Sequence, residues 1–210
     1  MALDPQASAF LDLGKAANLP DISVQGATVA RSNSHAQPDI SGPLDPSVGI
    51  TFEFFTSSTA DIAVAIYTPP ATTDAKRAGL VYFHGGGWVI NFLDMYEPAL
   101  RRISALANIV IVAVEYQKAP ENPFPTALDD CFETLNWVVQ NANKLSIDLG
   151  AIGIGGDSAG GNLASAIALR ARDEKLTPLA FQLLIYPCND ISMNYKSASD
   201  YAEGYGLTTT

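Results

Sequence analysis

The stretch IGIGGDSAGGNLASAIALRA, residues 152–171, decides the fold because its periodicity changes at a single serine. Its first residues alternate isoleucine with glycine in the manner of a buried strand, and its later residues are rich in alanine and leucine, which favours a helix. Ser158 lies at the junction, with Gly156 two residues before it and Gly160 two residues after it. This G-x-S-x-G pattern is typical of a sharp strand-to-helix turn, in which the serine backbone is strained and its hydroxyl is exposed as a nucleophile.

Two other interpretations of the same glycines have to be weighed. In the first, Ser158 is only the N-cap residue of a helix that follows a glycine-rich turn, and the motif alone leaves this alternative open. In the second, the glycines bind a nucleotide. A dinucleotide fingerprint starting at Gly153 needs glycine at position 158, and a phosphate loop needs lysine at 161 and serine or threonine at 162. The chain has Gly161 and Asn162 there, so the sequence argues against nucleotide binding.

The segments around this stretch alternate between strand and helix patterns. NIVIVAVEY, residues 108–116, is a continuous aliphatic run typical of a parallel strand buried on both faces, and GLVYFH, residues 79–84, is a shorter run of the same kind. Such an alternation predicts an α/β fold with a doubly wound, mostly parallel sheet. The remaining predicted elements are helices at 97–107, near 125–144 and over about 159–172, and a last strand near 179–186.

The N-terminal part of the chain has a different pattern. GITFEFF, residues 49–55, and DIAVAIY, residues 61–67, alternate as the two strands of an antiparallel hairpin do. Residues 1–25 predict one or two short helices. Residues 27–48 are rich in Ser, Pro and Asp and lack periodicity, which predicts a loop or mobile cover. The parallel sheet is therefore expected to begin with antiparallel strands.

A second glycine-rich motif, HGGGW, follows directly after the strand GLVYFH. Three successive glycines, Gly85 to Gly87, remove the side chains from a loop whose backbone N–H groups then point into a cavity, as binding of a developing oxyanion requires. Ala159, directly after the serine, would supply another N–H at the positive end of its helix. We interpret His84 as a packed structural histidine. Both motifs follow strands of one parallel sheet, where such folds place their ligand sites.

Composition and charge narrow the classes of partner. The sequence carries 12 basic and 22 acidic side chains, a formal net charge of −10, so a nucleic-acid backbone or an anionic membrane would repel it. The first residues lack the basic segment of a secretory signal, and no apolar run approaches the roughly 20 residues of a membrane span. With only Cys131 and Cys188, which we expect to be free thiols, a reducing, cytoplasmic location is predicted.

Three segments together resemble one known family. HGGGW, the segment from Val114 to Pro125 and GDSAGGNLA are similar to motifs of the hormone-sensitive-lipase-like group of α/β-hydrolases, which contains many carboxylesterases. The resemblance implies a hydrolase domain from residue 49 onward and a helical N-terminal cap with its cover loop over residues 1–48. It also implies roles for individual residues: Ser158 as the nucleophile, Gly86, Gly87 and Ala159 as oxyanion-hole donors, and His84, Gly85 and Asp157 as supports of the site.

The sequence departs from the pattern of this family at three positions. Gln117 and Asn122 stand where the family often has arginine and histidine, and Asn91 stands where it often has glycine. We expect these departures to affect the surroundings of the site more than its chemistry.

No histidine follows Ser158 in this sequence. In this fold the catalytic triad follows the chain order nucleophile, acid, histidine, whereas His35 and His84 both precede the serine. The resemblance places the acid after a later strand, so none of the aspartates after Ser158 is assigned to the triad. We therefore expect residues 49–210 to be a hydrolase domain truncated at its C-terminus, without the last strands and without the triad aspartate and histidine.

The expected function is hydrolysis of a small carboxylic ester through an acyl-serine intermediate, without a metal or organic cofactor and with little activity in this chain alone. The alternative is a non-catalytic or degenerate hydrolase-fold protein that binds a small ligand. We also expect the strand near 179–186 to lie at an uncovered sheet edge, through which the chain self-associates.

Overall fold

The structure is a computed structural model of the 210-residue chain, and it describes residues 3–18, 20–35, 42–71, 75–176 and 178–207. The chain divides into two compact units. The first contains residues up to 30 together with those from 190 onward, and the second contains residues 31–189.

Six helices and six strands are formed by the described residues, besides short 3₁₀ turns at Ile22–Val24 and Leu93–Tyr96. The helices are α1 (Pro5–Ala17), α2 (Ala27–His35), α3 (Glu97–Ala107), α4 (Thr126–Asn141), α5 (Ala159–Asp173) and α6 (Lys196–Asp200). The strands are β1 (Gly49–Thr56), β2 (Asp61–Thr68), β3 (Arg77–Phe83), β4 (Val110–Glu115), β5 (Ile147–Asp157) and β6 (Phe181–Ile185).

The second unit is built on one mixed sheet with the strand order β1-β2-β4-β3-β5-β6. β1 pairs antiparallel with β2, and β2 pairs antiparallel with β4. From β4 across β3 and β5 to β6 all pairs are parallel. The predicted α/β class, the N-terminal hairpin and the parallel strands are thus confirmed, and β6 is the outer strand of the described sheet.

Helices cover both faces of this sheet. Along β3, Leu80 and Tyr82 point into a core that contains Leu100 of α3, whereas Val81 and Phe83 point into the larger core beneath α4 and α5. This alternation follows from the period of two in a strand, and burial on both faces explains the continuous aliphatic runs of β3 and β4.

The alternation of isoleucine and glycine in β5 has a steric cause. Ile152 and Ile154 are fully buried in the larger core. Gly153 lies on the other face, where an added Cβ would be 2.4 Å from the ring of Phe181 in β6. A Cβ on Gly155 would likewise be 2.9 Å from the Cβ of Leu183. Side chains of β6 therefore occupy the space that larger residues in β5 would need.

The predicted loop over residues 27–48 is wrong in its first part, because Ala27–His35 form helix α2. This segment has little amphipathic pattern, but Arg31 is held by a hydrogen bond to Val89, 58 residues further on, and Ser34 by one to Asn91, 57 residues further on. Tertiary contacts of this kind override weak helix propensity. Residues 36–41 lie outside the described residues, and residues 42–48 form no helix or strand.

Three further observations concern membrane spans, metal ligands and thiols. Among the described helices, none is long and apolar enough to cross a membrane. No group of three or more metal-ligating side chains was found within the described ranges. Cys131 and Cys188 are free thiols, as predicted.

Candidate active site

Ser158 has a strained backbone at the junction of β5 and α5. Its φ of 52° and ψ of −118° lie in a region that favours glycine. It occupies the N-cap position of α5, yet its side chain makes no capping hydrogen bond, so the N-cap interpretation does not account for this serine. Within the described residues, no hydrogen bond is formed by its half-buried hydroxyl. The conformation instead matches the strained turn predicted from the motif.

Backbone hydrogen bonds hold Ser158 on two sides. Its N–H donates to the carbonyl of Ile185 at the end of β6, over 3.0 Å. Its carbonyl accepts from the N–H groups of Asn162, at 3.1 Å, and of Cys188, at 3.0 Å. Because these bonds involve the main chain alone, the conformation of the turn does not depend on the serine side chain.

The glycines beside the serine are required by the close approach of β3. A Cβ on Gly160 would be 1.9 Å from the carbonyl oxygen of Phe83, and a Cβ on Gly156 would be 2.3 Å from the same atom. Distances below 3.0 Å to a backbone atom cannot be relieved by rotating a side chain. Glycine at both positions therefore lets the first turn of α5 lie against the end of β3, where HGGGW begins.

The loop Gly85–Asn91, which we call the oxyanion loop, turns sharply after β3. Gly86 has a φ of 118° and Gly87 a φ of 59°. A Cβ on Gly86 would be 2.4 Å from the carbonyl oxygen of Ile90. The carbonyl of Gly86 accepts hydrogen bonds from the N–H groups of Val89, at 3.0 Å, and of Ile90, at 2.9 Å. These bonds close the turn.

Three backbone donors near the serine have no acceptor among the described residues. The N–H groups of Gly86, Gly87 and Ala159 make no hydrogen bond to any residue that the structure describes. Such groups are usually paired unless water or a ligand satisfies them. They are the same three donors that the sequence resemblance assigned to the oxyanion hole.

Asp157 connects the serine turn to the oxyanion loop. Its carboxylate accepts hydrogen bonds from Tyr82 Oη and from the Gly85 N–H, each at 2.9 Å, and from Tyr96 Oη at 3.0 Å. Burial, together with the charge of this carboxylate, raises the pKa of both tyrosines far above the ordinary value, so both remain donors. A Cβ on Gly85 would be 2.4 Å from Asp157 Oδ2, which excludes any larger residue there.

Sequence reasoning identified Asp157 and Gly85 but missed the two tyrosines. Tyr82 precedes Asp157 by 75 residues and Tyr96 precedes it by 61 residues. Tyr82 has the alternation expected of a core strand residue, and Tyr96 ends a short 3₁₀ turn that carries no motif. Neither position had a local signal that marked it as a partner of Asp157.

His84 is fully buried beneath this network, as predicted for a structural histidine. Its ring stacks on Tyr116 with a centroid distance of 4.3 Å, and its Nδ1 lies 2.7 Å from the Gly85 carbonyl oxygen. Nε2 has no partner among the described residues. Burial, and secondarily the charge of Lys118, lowers the pKa of His84 to about 3, so its ring is neutral at pH 7.

His35 and Gln117 also have partners away from Ser158. His35 Nε2 lies 3.3 Å from Asp94 Oδ2 on an exposed surface. The side chain of Gln117 contacts Asp130 and Thr59, which fixes the chain after β4. The contacts of both histidines in the structure therefore do not include the candidate nucleophile.

An open cleft with a volume of about 890 Å³ lies elsewhere in the second unit. Its lining includes Phe52, Phe92 and the pair formed by His35 and Asp94. None of the predicted site residues is among its described lining residues, so we do not assign it to the reaction.

The strained serine between a buried parallel strand and a helix, facing a glycine loop after a neighbouring strand, defines an α/β-hydrolase. The pattern of the family described as alpha/beta hydrolase fold matches residues 80–210, and the chain belongs to this family.

Individual relatives are named as esterases. The chain is 41% identical over 143 residues to carboxylesterase NlhH of Mycobacterium tuberculosis. This match covers 68% of this chain but only 44% of the relative. It is 33% identical over 216 residues to ethyl acetate hydrolase of Pseudomonas putida, covering 99% of this chain and 68% of the relative. The chain thus spans less than half the length of the first of these relatives and about two thirds of the second.

A solved structure extends the similarity to three dimensions. An ester-hydrolase from the metagenome of Lake Arreo, in complex with a derivative of bipyridine phosphonate, superposes with a TM-score of 0.92 at 29% identity. The match covers 99% of this chain and 67% of that structure.

Proposed function

We propose that this chain carries the nucleophile and the oxyanion hole of a carboxylic ester hydrolase. The observation that carries the proposal is the strained backbone of Ser158, at φ 52° and ψ −118°. The side chain of this residue does not cap the helix that follows it. Strain of this kind persists only where the surrounding structure enforces it, and it is concentrated at functional sites. The names of the relatives supply the substrate class, a carboxylic ester.

The reaction proceeds in two halves. Ser158 Oγ attacks the ester carbonyl carbon while a general base takes its proton, which gives a tetrahedral intermediate with a negatively charged oxygen. The N–H groups of Gly86, Gly87 and Ala159 donate hydrogen bonds to that oxygen. The C–O bond to the alcohol then breaks, the alcohol leaves with the proton, and an acyl-serine remains. Water, deprotonated by the same base, attacks the acyl-serine and releases the acid.

Unpaired backbone donors suit this task because they are fixed before the charge develops. Removal of one oxyanion-hole donor typically lowers the rate by about 10²–10³. Asp157 supports the proposed arrangement, because this residue directly precedes Ser158 and its carboxylate accepts a hydrogen bond from the N–H of Gly85 in the loop. Ala159 is the first residue of α5, where the helix dipole adds to the stabilisation of a negative charge.

The general base is proposed to lie outside these 210 residues. His84 is buried with a pKa of about 3 and is bound to its own loop, and His35 lies beside Asp94. Without a base, the serine hydroxyl is a poor nucleophile, so the 210-residue chain is expected to hydrolyse esters very slowly.

The absence of a base for Ser158 among the described residues also favours a second candidate function. In it, the chain binds a small ligand without turning it over. In that case the free donors of Gly86, Gly87 and Ala159 would hold an anionic or carbonyl oxygen of the ligand. The two functions differ in whether Ser158 forms a covalent bond.

The test measures phosphonylation of Ser158 by a fluorophosphonate probe, with the modified residue identified by mass spectrometry. Added imidazole serves as an external base, and we expect it to accelerate modification of Ser158. The matched control is Ser165, seven residues later in α5, whose hydroxyl donates to the carbonyl of Gly161. Modification of Ser158 no faster than that of Ser165, with and without imidazole, would contradict the esterase proposal and favour the binding protein.

A second measurement tests the missing base. The 210-residue chain is assayed with a short-chain p-nitrophenyl ester, with Ser158→Ala as the control. We expect little hydrolysis above the control in buffer and a gain with imidazole that Ser158→Ala lacks. Rapid hydrolysis in buffer that Ser158→Ala abolishes would show that the base is already present in these residues.

A further inference from the structure

The last turn of α2, residues 31–35, contacts the oxyanion loop through two side chains. Arg31 Nε donates to the carbonyl oxygen of Val89 at 2.7 Å, and its Nη2 donates to the carbonyl oxygen of Ala119 at 2.8 Å. The guanidinium also donates to the carboxylate of Glu121, from Nη1 to Oε1 at 2.9 Å and from Nη2 to Oε2 at 2.7 Å. The hydrogen bond to Arg31 lowers the pKa of Glu121 to about 2, so the pair is charged at neutral pH.

Ser34, three residues after Arg31 and therefore on the same face of the helix, makes the second contact. Its buried hydroxyl donates to Asn91 Oδ1 over 2.5 Å. This fixes the orientation of the Asn91 amide, because the oxygen is taken by Ser34 and the nitrogen must point the other way. Asn91 has a φ of 70°, and its Cγ lies 3.1 Å from the place that a Cβ on Gly86 would take. The amide thus packs directly on the glycine that is proposed as an oxyanion donor.

The nitrogen of Asn91 continues the connection toward the serine. Nδ2 donates to Tyr96 Oη at 3.2 Å and lies 3.4 Å from the Gly85 carbonyl oxygen. Tyr96 in turn donates to Asp157, which precedes Ser158. Hydrogen bonds therefore run without interruption from Ser34 in α2 to the residue before the nucleophile. The glycine that the family often has at position 91 could form none of these side-chain bonds.

We propose that Arg31, Ser34 and Asn91 are positioning residues for the oxyanion loop, through which α2 sets the orientation of the Gly86 and Gly87 donors. The inference rests on the proposed function, because it assigns those donors to the reaction. The three residues act through the loop backbone and through Tyr96, and they do not touch the reacting atoms.

Two variants remove the hydrogen bond between Ser34 and Asn91 without imposing strain and leave the contacts of Arg31 in place. Ser34→Ala deletes one hydroxyl from the helix. Asn91→Gly deletes the amide and keeps a residue that adopts a φ of 70° readily. Ser32→Ala is the matched control, since Ser32 is exposed in the same helix. Loss of one such hydrogen bond corresponds to about a three- to tenfold change in the affected equilibrium.

The first readout is the kinetics of Ser158 phosphonylation with imidazole present. A positioning role predicts that Ser34→Ala and Asn91→Gly lower the maximal rate of modification about three- to tenfold, with the concentration of probe for half-maximal rate little changed. The free energies of unfolding of all variants are measured alongside. Rates equal to that of Ser32→Ala would overturn the inference.

The second readout does not require a reactive serine. Hydrogen exchange is followed at the amides of Val89 and Ile90, which donate to the Gly86 carbonyl and report on closure of the turn. Both variants should accelerate exchange there by a similar factor, and Ser32→Ala should not. Slower phosphonylation without faster exchange would also refute the inference, since the effect would not pass through the loop.

The two readouts separate the inference from the proposed function. If Ser158 of the unmodified sequence does not react at all, the esterase proposal fails. The exchange rates then decide by themselves whether α2 holds the loop. If Ser158 reacts and the variants react equally fast, the esterase proposal stands and the positioning role is wrong.

Discussion

Ser158→Gly should give a more stable protein than Ser158→Ala, although glycine normally destabilises a fold relative to alanine. The backbone of Ser158 lies at φ 52° and ψ −118°, a conformation in which any Cβ is strained. Alanine keeps that strain and glycine relieves it. Both substitutions delete the hydroxyl, so the difference between them isolates the backbone.

The magnitude follows from two opposing terms. A residue held in a sparsely populated backbone region costs about 1–3 kcal/mol. Glycine loses more conformational freedom on folding than alanine, which costs about 0.5–1 kcal/mol. Taking the middle of both ranges, the free energy of unfolding of Ser158→Gly should therefore exceed that of Ser158→Ala by about 1 kcal/mol.

Ser165 provides a matched control in the same helix. It lies in the interior of α5 with ordinary helical geometry, and its hydroxyl is lost in both Ser165→Ala and Ser165→Gly. There alanine should be the more stable by about 1 kcal/mol, because no strain offsets the low helix propensity of glycine. The two positions are thus expected to show differences of opposite sign.

The assay is equilibrium unfolding in urea, with the four variants compared at one protein concentration. A higher midpoint for Ser158→Gly than for Ser158→Ala, at unchanged slope, would indicate a change in stability alone. If Ser158→Gly were equal to or less stable than Ser158→Ala, the serine turn would store no strain. The main structural support for the proposed nucleophile would then be lost.

Three further predictions concern burial, packing and the sheet edge. His84 has a folded-state pKa of about 3, below its unfolded value of about 6.5, so unfolding takes up a proton at mildly acidic pH. The free energy of unfolding of the unmodified protein, relative to that of His84→Phe, should therefore fall by about 1.4 kcal/mol per pH unit below pH 6.5 and stay constant above it. Urea titrations from pH 5 to 8 measure this, and the same pH dependence in both proteins would contradict it. Gly160→Ala should destabilise the protein by about 1–3 kcal/mol, because its Cβ would lie 1.9 Å from a carbonyl oxygen of β3. The control Gly14→Ala in α1, whose Cβ would have no neighbour within 4 Å, should stabilise it slightly. Equal effects of the two substitutions in thermal unfolding would refute the steric argument. Leu184→Lys in the outer strand β6 should reduce self-association, measured by static light scattering, more than the control Leu106→Lys on α3 does. If the unmodified chain is already a monodisperse monomer, association through that edge is contradicted.

The central part of the fold could be predicted from the sequence because its determinants are local. The change from the strand pattern to the helix pattern at Ser158 places the end of β5 and both ends of α5 within a residue or two of their observed bounds. One difference is that β5 begins at Ile147, before the predicted start, where the sequence IDLG has no continuous aliphatic run. The hairpin of β1 and β2 followed equally directly from two alternating segments and a polar turn.

The supports of the site could not be predicted because they depend on residues far apart in the chain. Helix α2 was predicted as a loop, and the contacts that hold its last turn lie 57 and 58 residues further on, at Asn91 and Val89. Tyr96 has no local pattern, and its role follows only from its contact with Asp157. In each case the side chain gains its role from packing in three dimensions, which composition and periodicity do not encode.

The structure also separates two requirements of the proposed reaction. One is the orientation of the serine and the N–H donors, and the other is a base that takes the serine proton. The conformation of Ser158 is fixed by main-chain bonds to Ile185, Asn162 and Cys188, and the oxyanion loop is fixed through Asp157. Neither set of bonds involves a histidine that could act on the serine. Because no histidine takes part in either set of bonds, supplying a base should change the rate of proton transfer and leave the orientation of Gly86 and Gly87 unchanged. This is why imidazole is expected to accelerate modification of Ser158 without altering hydrogen exchange in the loop, whereas a change at Ser34 is expected to alter both.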